Sequence, residues 1–166
     1  LSNERKIDVT SLNIDAKHDA HFDSWMESTN ASLLGASGAK ATNTVVTTSG
    51  ASIGSGGYVE ADNITLDATN VVLKAGPASI LIPGLSDSVP TWNVNSSSGG
   101  LADVPAAGSN TIIATQALVQ VGDSAHLEQT GLQSAPGVFT LNALNNVTAT
   151  DKVKMSSGGL VSAASG

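Results

Sequence analysis

The chain has 166 residues, a formal net charge of −7 and no cysteine. That length suits one domain or one segment of a longer array, and the lack of thiols excludes a disulfide framework and a thiolate site. Seven scattered Lys and Arg stand against 14 Asp and Glu, which argues against a nucleic-acid partner, and no apolar run reaches the roughly 20 residues of a membrane-spanning helix.

Aromatic residues make up only 3% and charged residues 13%, so any core must be built from Val, Ile, Leu and Ala. β-Branched residues favour strands, and Gly, Asn and Ser favour tight turns. The chain opens at Leu1 with neither Met nor a signal-peptide pattern, and we read it as excised from a larger or processed protein.

The first patterned stretch is NIDAKHDAHFDS, residues 13–24. Period-two alternation sends Ile14, Ala16, Ala20 and Phe22 inward and Asp15, Asp19, His21 and Asp23 outward. Frequent Gly, Asn and Ser make helix a poor reading. A second pattern, TNTVVTT at 42–48, is followed by GASI at 50–53. The first pattern returns as NITLDATNVVLKA at 63–75, with Ile64, Leu66, Val71 and Leu73 in the apolar places.

From 76 to 108 the pattern breaks. This segment holds four of the five prolines (Pro77, Pro83, Pro90, Pro105) and Trp92. Proline cannot donate to a ladder and is excluded from central strands, so a loop excursion is expected, with a hairpin around Ile80–Ile82 and Trp92–Val94. The second pattern then recurs as SNTIIAT at 109–115, followed by VQVGDSAHL at 119–127. NVTATDKVKMSS at 146–157 aligns with 13–24, placing Val147 under Ile14 and Met155 under Phe22.

Short strands, polar turns, small inward residues and a repeat point to an all-β solenoid, in which coils of about 20 residues stack through backbone hydrogen bonds. A β-sandwich is the rival architecture. The expected organisation is solenoid coils over 1–75, a Pro-rich insert over 76–108, and coils of the same domain over 109–166.

Within that frame, GYVEADNITLDATNVVLKAG (57–76), VQVGDSAHLEQTG (119–131) and GVFTLNALNNVTATDKVKMSSGGLVSAA (137–164) resemble repeat segments of filamentous-haemagglutinin-like adhesins and giant bacterial surface exoproteins. The resemblance implies a right-handed parallel β-helix, an extracellular or cell-surface location, and a structural role in attachment, aggregation or biofilm matrix. It carries over no catalytic residue. Tandem GGxGxD nonapeptides of calcium-binding secreted repeats are missing, with only faint echoes at 54–57 and 97–103.

Asp15, Asp19, His21 and Asp23 are metal candidates by residue type, because carboxylates suit Ca²⁺ and His with Asp suits Zn²⁺. Outward side chains along one strand spread over more than about 10 Å, and the aligned copy at 146–157 puts Thr148, Thr150, Lys152 and Lys154 in broadly corresponding places. A solvated face is therefore favoured and no cofactor is expected, with Ca²⁺ the ion to test. Trp92 and Trp25 are candidate stacking platforms for a sugar, against local packing as the plainer role. Glu60, Asp62 and Asp67 offer carboxylates for glycoside hydrolysis, but Arg5 is the lone arginine and no GxSxG elbow occurs, so a non-enzymatic protein is expected. The expected partners are further repeats of the same polypeptide or identical subunits, with surface polysaccharide as a further candidate. A self-assembling filament subunit is the alternative to an adhesin segment, and a polysaccharide-binding or polysaccharide-degrading β-helix the second alternative.

Overall fold

The computed structural model describes residues 6–74, 92–131 and 135–166. Among them there are ten strands and no helix: β1 (Lys6–Phe22), β2 (Met26–Ala31), β3 (Leu34–Ile53), β4 (Tyr58–Lys74), β5 (Val94–Gly99), β6 (Ala102–Val121), β7 (His126–Gln129), β8 (Phe139–Ala149), β9 (Val153–Ser157) and β10 (Val161–Ser162). The expected alternation is visible in the first half of β4, where Ile64, Leu66 and Ala68 are buried, but Val71 and Leu73 are half-buried and Val72 and Lys74 take the buried places instead, because the period of two runs on unbroken from Ile64. In β1, Ile14, Ala16, Ala20 and Phe22 are half-buried, while Asp15, Asp19 and His21 are exposed.

The strands form three sheets. One runs β1-β4-β7 with β8 also on β4, one runs β10-β6-β3, and one runs β2-β5-β9. The pairs β2–β5, β5–β9, β4–β7 and β6–β10 are parallel. Their registers advance by fixed steps along the chain. Met26 lies beside Val94 and Tyr58 beside His126, each a step of 68 residues. Val94 lies beside Val153 and Ala102 beside Val161, each a step of 59. Side-chain bonds from β4 to β8, Asp67 with Asn142 and Asn70 with Asn145, span 75. Parallel neighbours need such long connections because a two-residue hairpin cannot reverse the chain twice.

Two compact units emerge. Unit 1 comprises Leu1–Asp19, Val46–Val71 and Ala114–Val147. Its core is Ala51, Ile53, Val59, Ala61, Ile64, Leu66 and Ala68, flanked by Leu12, Ile14 and Ala16 and by Ala117, Val119, Ala125 and Leu127. Small and branched aliphatic residues fill this interior without one aromatic ring, as the composition requires. One buried polar group is fully partnered: Asn70 donates to the Gln116 carbonyl and to Asn145 and accepts from Ser49 at 2.9 Å. Buried amides must be satisfied in this way or they cost stability.

Unit 2 comprises Ala20–Val45, Val72–Ile113 and Thr148–Gly166. Its apolar cluster is small: Ala39, Ala41, Val94 and Ala107. Polar contacts supplement it. Ser37 and Ser96 share a 2.8 Å hydroxyl bond, and the Asn93 amide donates to Asp23 at 2.6 Å and accepts from the Lys152 N–H at 2.8 Å.

In unit 1 two turns repeat at the 68-residue step. Gly54–Gly57 closes through the Gly57 N–H on the Gly54 carbonyl, and Gly122–Ala125 closes through the Ala125 N–H on the Gly122 carbonyl, both at 3.1 Å. Each needs a left-handed third residue, Gly56 (φ 69°) in one and Ser124 (φ 58°) in the other. Glycine adopts that conformation freely, whereas serine does so under strain.

The structure corrects several sequence expectations. Neighbouring strands lie 52 to 75 residues apart rather than about 20. The copies at 63–75 and 146–157 do not stack in register: the Ile64 N–H donates to the Val138 carbonyl, Asp67 and Asn70 meet Asn142 and Asn145, and only the start of 146–157 reaches the end of 63–75, where the Thr150 N–H donates to the Lys74 carbonyl. The match of TNTVVTT to SNTIIAT is out by one residue. Asn43 bonds Thr111 rather than aligning with Asn110, Val45 and Ile113 face inward, and Val46 and Ile112 are exposed. A one-residue slip exchanges the two faces of a strand.

The described part of the 76–108 segment runs in strands instead of leaving the sheets. β5 sits between β2 and β9, and Pro105 is buried inside β6, its carbonyl accepting from the Ser165 N–H at 3.2 Å. Proline is admitted there as an acceptor. The hairpin expected around Ile80–Ile82 lies outside the described residues, as do Pro77, Pro83 and Pro90.

Candidate functional site

The densest polar constellation lies on the outward positions of β1, β4 and β7 in unit 1. Period-two alternation places residues two apart on one face. Parallel pairing sets Tyr58 beside His126 and Glu60 beside Glu128. The Tyr58 and His126 rings stack with centroids 4.7 Å apart and an interplanar angle of 20°. The Lys6 ammonium lies 5.7 Å from the Tyr58 ring centre, 2.6 Å from Glu60 and 3.6 Å from Asp8. One column is thus Lys6, Tyr58 and His126, and the adjacent one is Asp8, Glu60 and Glu128.

Hydrogen bonds knit the columns together. The Tyr58 hydroxyl donates to Glu60 at 2.8 Å and lies 3.3 Å from Glu128. His126 Nε2 lies 3.4 Å from Glu128. The bond from Lys6, then that from Tyr58, holds the Glu60 carboxyl below its ordinary value. Glu60 in turn raises Lys6 and, by accepting its hydroxyl bond, pushes the Tyr58 phenol up to about 12. At neutral pH the cluster is an ionised carboxylate held by an ammonium and a protonated phenol. Glycoside hydrolysis needs a carboxylic acid with a raised pKa beside its partner, and Glu60 is shifted the other way.

Further carboxylates are also held by donors. In unit 1, Asp67 accepts from Asn142 and Thr69, each at 2.7 Å, and lies below its usual value for that reason. Asp62 accepts from the Thr130 hydroxyl at 3.1 Å. In unit 2, burial alone would raise Asp103, but the Ser157 hydroxyl and the Gly158 and Gly159 N–H groups outweigh it and the net shift is downward. Lys74, with a fully buried side chain, pairs with Asp151. Burial would raise Asp151 too, yet bonds from Lys74, Ser109 and Thr111 bring it down.

The sequence-named residues fall elsewhere. Asp15 and Asp19 sit on β1 in unit 1, exposed, and His21 is exposed in unit 2. Asp23 is engaged by the Asn93 amide and by the Ser24 N–H at 2.7 Å. Among the described residues no group of three His, Asp or Glu side chains is placed to hold a metal ion. Trp92 is half-buried with the Lys154 ammonium 5.6 Å from its ring centre, while Trp25 is 60% exposed. A 390 Å³ cavity in unit 2 is lined by Gly38–Lys40, Ala106–Gly108, Ser165 and Gly166, with Lys40 the one charged side chain among them.

Of the cluster, sequence reasoning named only Glu60. The signal it missed was positional: KID at 6–8, YVE at 58–60 and HLE at 126–128 each put a cation or aromatic ring two residues before a carboxylate.

The chain matches no protein-family model, no curated protein and no solved structure. No helix among the described residues is long and apolar enough to cross a membrane.

Proposed function

We propose that the chain is a segment of a large exported bacterial surface protein, folded as a right-handed parallel β-solenoid. Its role is mechanical: stacked coils form a stiff rod that mediates attachment or aggregation at the cell surface or in a biofilm matrix, without catalysis. The observation that carries this reading is the set of register steps. The 75-residue step exceeds the 59-residue step by 16 and the 68-residue step by 7. Removing 16 from 68, or 7 from 59, leaves 52 either way.

One coil of 52 residues, widened once by 16 and once by 7, therefore accounts for every step. Pairs that bracket 75–91 carry the larger addition, and pairs that bracket 131–137 carry the smaller. The same 52-residue step carries Leu12, Ile14 and Ala16 onto Ile64, Leu66 and Ala68, with which they share a core, and Lys6 onto Tyr58. Nearest-neighbour stacking of this kind is how solenoids gain stability. The donor-held carboxylates support a structural role for the charged groups, since Glu60, Asp67, Asp103 and Asp151 all shift towards permanent ionisation.

Single-molecule pulling tests the mechanical claim. Coils of 52 to 75 residues should release in steps of about 17 to 27 nm at 3.3–3.6 Å per residue, and immunogold labelling of the source cells should place the protein outside. Release in a single event, or an interior location, would overturn the proposal.

A further inference from the structure

Resting on the solenoid reading, and naming the partner in the aggregation it includes, we infer that a leucine ridge on the outer face of unit 2 docks side by side on the same ridge of a second copy of this chain. The sequence repeats one corner three times: ASLL at 31–34, GGLA at 99–102 and GGLV at 158–161. Backbone bonds stack these corners, the Leu101 N–H on the Leu33 carbonyl at 2.9 Å and the Val161 N–H on the Leu101 carbonyl at 3.0 Å. The corner is inside out. Ser37, Ser96, Ser98 and Asp103 are buried, while Leu33, Leu101 and Leu160 are 74%, 53% and 83% exposed, the reverse of the usual placement. Leu34, Val104 and Val161 extend the ridge, each at least half exposed. Leu101 and Val104 belong to a middle coil, bonded to Leu33 or β3 on one side and to 161–165 on the other. Their exposure is therefore a property of the outer face and not of an open sheet edge. A contiguous apolar patch of this kind marks an interaction surface.

Charge and shape select the occupant. On the parts of β3 and β6 in unit 2, Lys40 is the one charged side chain at an outward position, and Asp103 points inward. A chain of net charge −7 repels its own copies on other faces, but two copies that meet here bring no carboxylates together. An anionic lipid surface would call for a cluster of Lys and Arg, and a polysaccharide for hydrogen-bonding side chains, which leucine is not. Beyond Val104 the face drops to a low strip, Gly38 of β3 and Ala106 of β6, with no side chain longer than a methyl. A two-fold axis sets the ridge of each copy over the strip of the other, so one patch supplies both halves of the contact. Val104 lies between ridge and strip, and the axis brings its two copies together. Rows on both copies repeat at the strand spacing of about 4.8 Å, the condition under which identical side chains interlock between sheets. Six side chains are fewer than the roughly 20–30 residues a side of a stable interface, so this segment pairs weakly and reversibly. In the proposed rod, each further corner of this kind adds to the contact.

The test uses the full chain, which has no native cysteine. Sedimentation velocity should show a reversible monomer–dimer exchange that grows with concentration. Leu33→Gln/Leu101→Gln/Leu160→Gln should abolish it and leave the circular dichroism spectrum unchanged, because these side chains already stand mostly in water. Val104→Cys is a second, nearly isosteric probe that keeps every leucine. Under mild oxidation it should form a covalent dimer about tenfold faster or more than Glu27→Cys, an exposed position on β2, since docking raises the local thiol concentration. Monomer at every concentration, a dimer that survives the glutamine substitutions, or equal rates at the two cysteines would overturn the inference. So would monomeric protein that floats with phosphatidylcholine vesicles through the same leucines, which would give the ridge to a lipid surface. An intramolecular pair, Asn95→Cys/Lys154→Cys, separates the two ideas: if it bridges and the dimer fails, the solenoid stands and the docking falls; if it does not bridge, the solenoid reading itself is wrong.

Discussion

Leu66 and Leu141 occupy the same column of one sheet, one step apart, yet only Leu66 is enclosed: it is fully buried, and Leu141 is 48% exposed. Replacing each by alanine removes the same atoms from different surroundings. At Leu66 the lost transfer energy adds to a cavity that strands on both sides of β4 keep open, a total of about 3 kcal/mol within the usual 2–5 kcal/mol range. At Leu141 about half of the side chain already meets water, so half of a burial energy of roughly 1.5–3 kcal/mol is at stake, with no enclosed cavity, giving about 1 kcal/mol. The difference of about 2 kcal/mol corresponds to a urea midpoint roughly 1 M lower for Leu66→Ala than for Leu141→Ala, at an m-value of about 1–3 kcal/mol per M. Circular dichroism through a urea titration is the assay. Equal midpoints would refute the placement of β4 between neighbours and of β8 against β4 alone among the described strands.

Three further outcomes follow from the polar groups and turns. Asp151→Ala strands the buried Lys74 ammonium and should cost about 3–5 kcal/mol, while Lys74→Met/Asp151→Leu should recover most of that loss in the same urea titration. Stability should hold flat near neutral pH and fall at both ends: Glu60, Asp67, Asp103 and Asp151 lie below their ordinary 3.8–4.5, so their contribution is complete above that range and lost as pH drops through the lower folded values. Tyr58, raised from 10.0 to about 12, contributes fully below pH 10 and loses its contribution as pH rises towards 12; Tyr58→Phe should flatten that alkaline limb. Gly54→Ala meets open space, whereas a Cβ on Gly122, the same turn position 68 residues on, would clash with the Ser55 backbone nitrogen. Thermal melts should therefore show Gly122→Ala destabilising by about 1–3 kcal/mol and Gly54→Ala by less.

The strand class was legible because alternation is a local property: Ile14, Ala16, Ala20 and Phe22 turn inward as their spacing requires. Register was not, because identity and facing compete in so uniform a composition. Matching Asn43 to Asn110 looked best by letter, but only a 68-residue step keeps Val45 and Ile113 on one face. The long spacing between neighbouring strands was hidden because it is not constant: steps of 52, 59, 68 and 75 residues leave no single period to read along the chain. Proline was misleading in the opposite sense: Pro105 suggested a loop, yet a strand tolerates it where only its carbonyl is needed. The polar cluster was unreadable for the same reason as the register, since Lys6, Tyr58, Glu60, His126 and Glu128 come together only when residues 52 and 68 apart are stacked.

The register steps are the centre of this account, and disulfide trapping reads them directly. Glu27, Asn95 and Lys154 form one column, with Asn95 beside both of the others. Glu27→Cys/Asn95→Cys and Asn95→Cys/Lys154→Cys should each bridge rapidly within a single molecule under mild oxidation, while Glu27→Cys/Ser97→Cys, shifted by two residues on the same face, should lag far behind. Bridging that favours the shifted pair, or fails to distinguish the three, would contradict the stacked parallel coil.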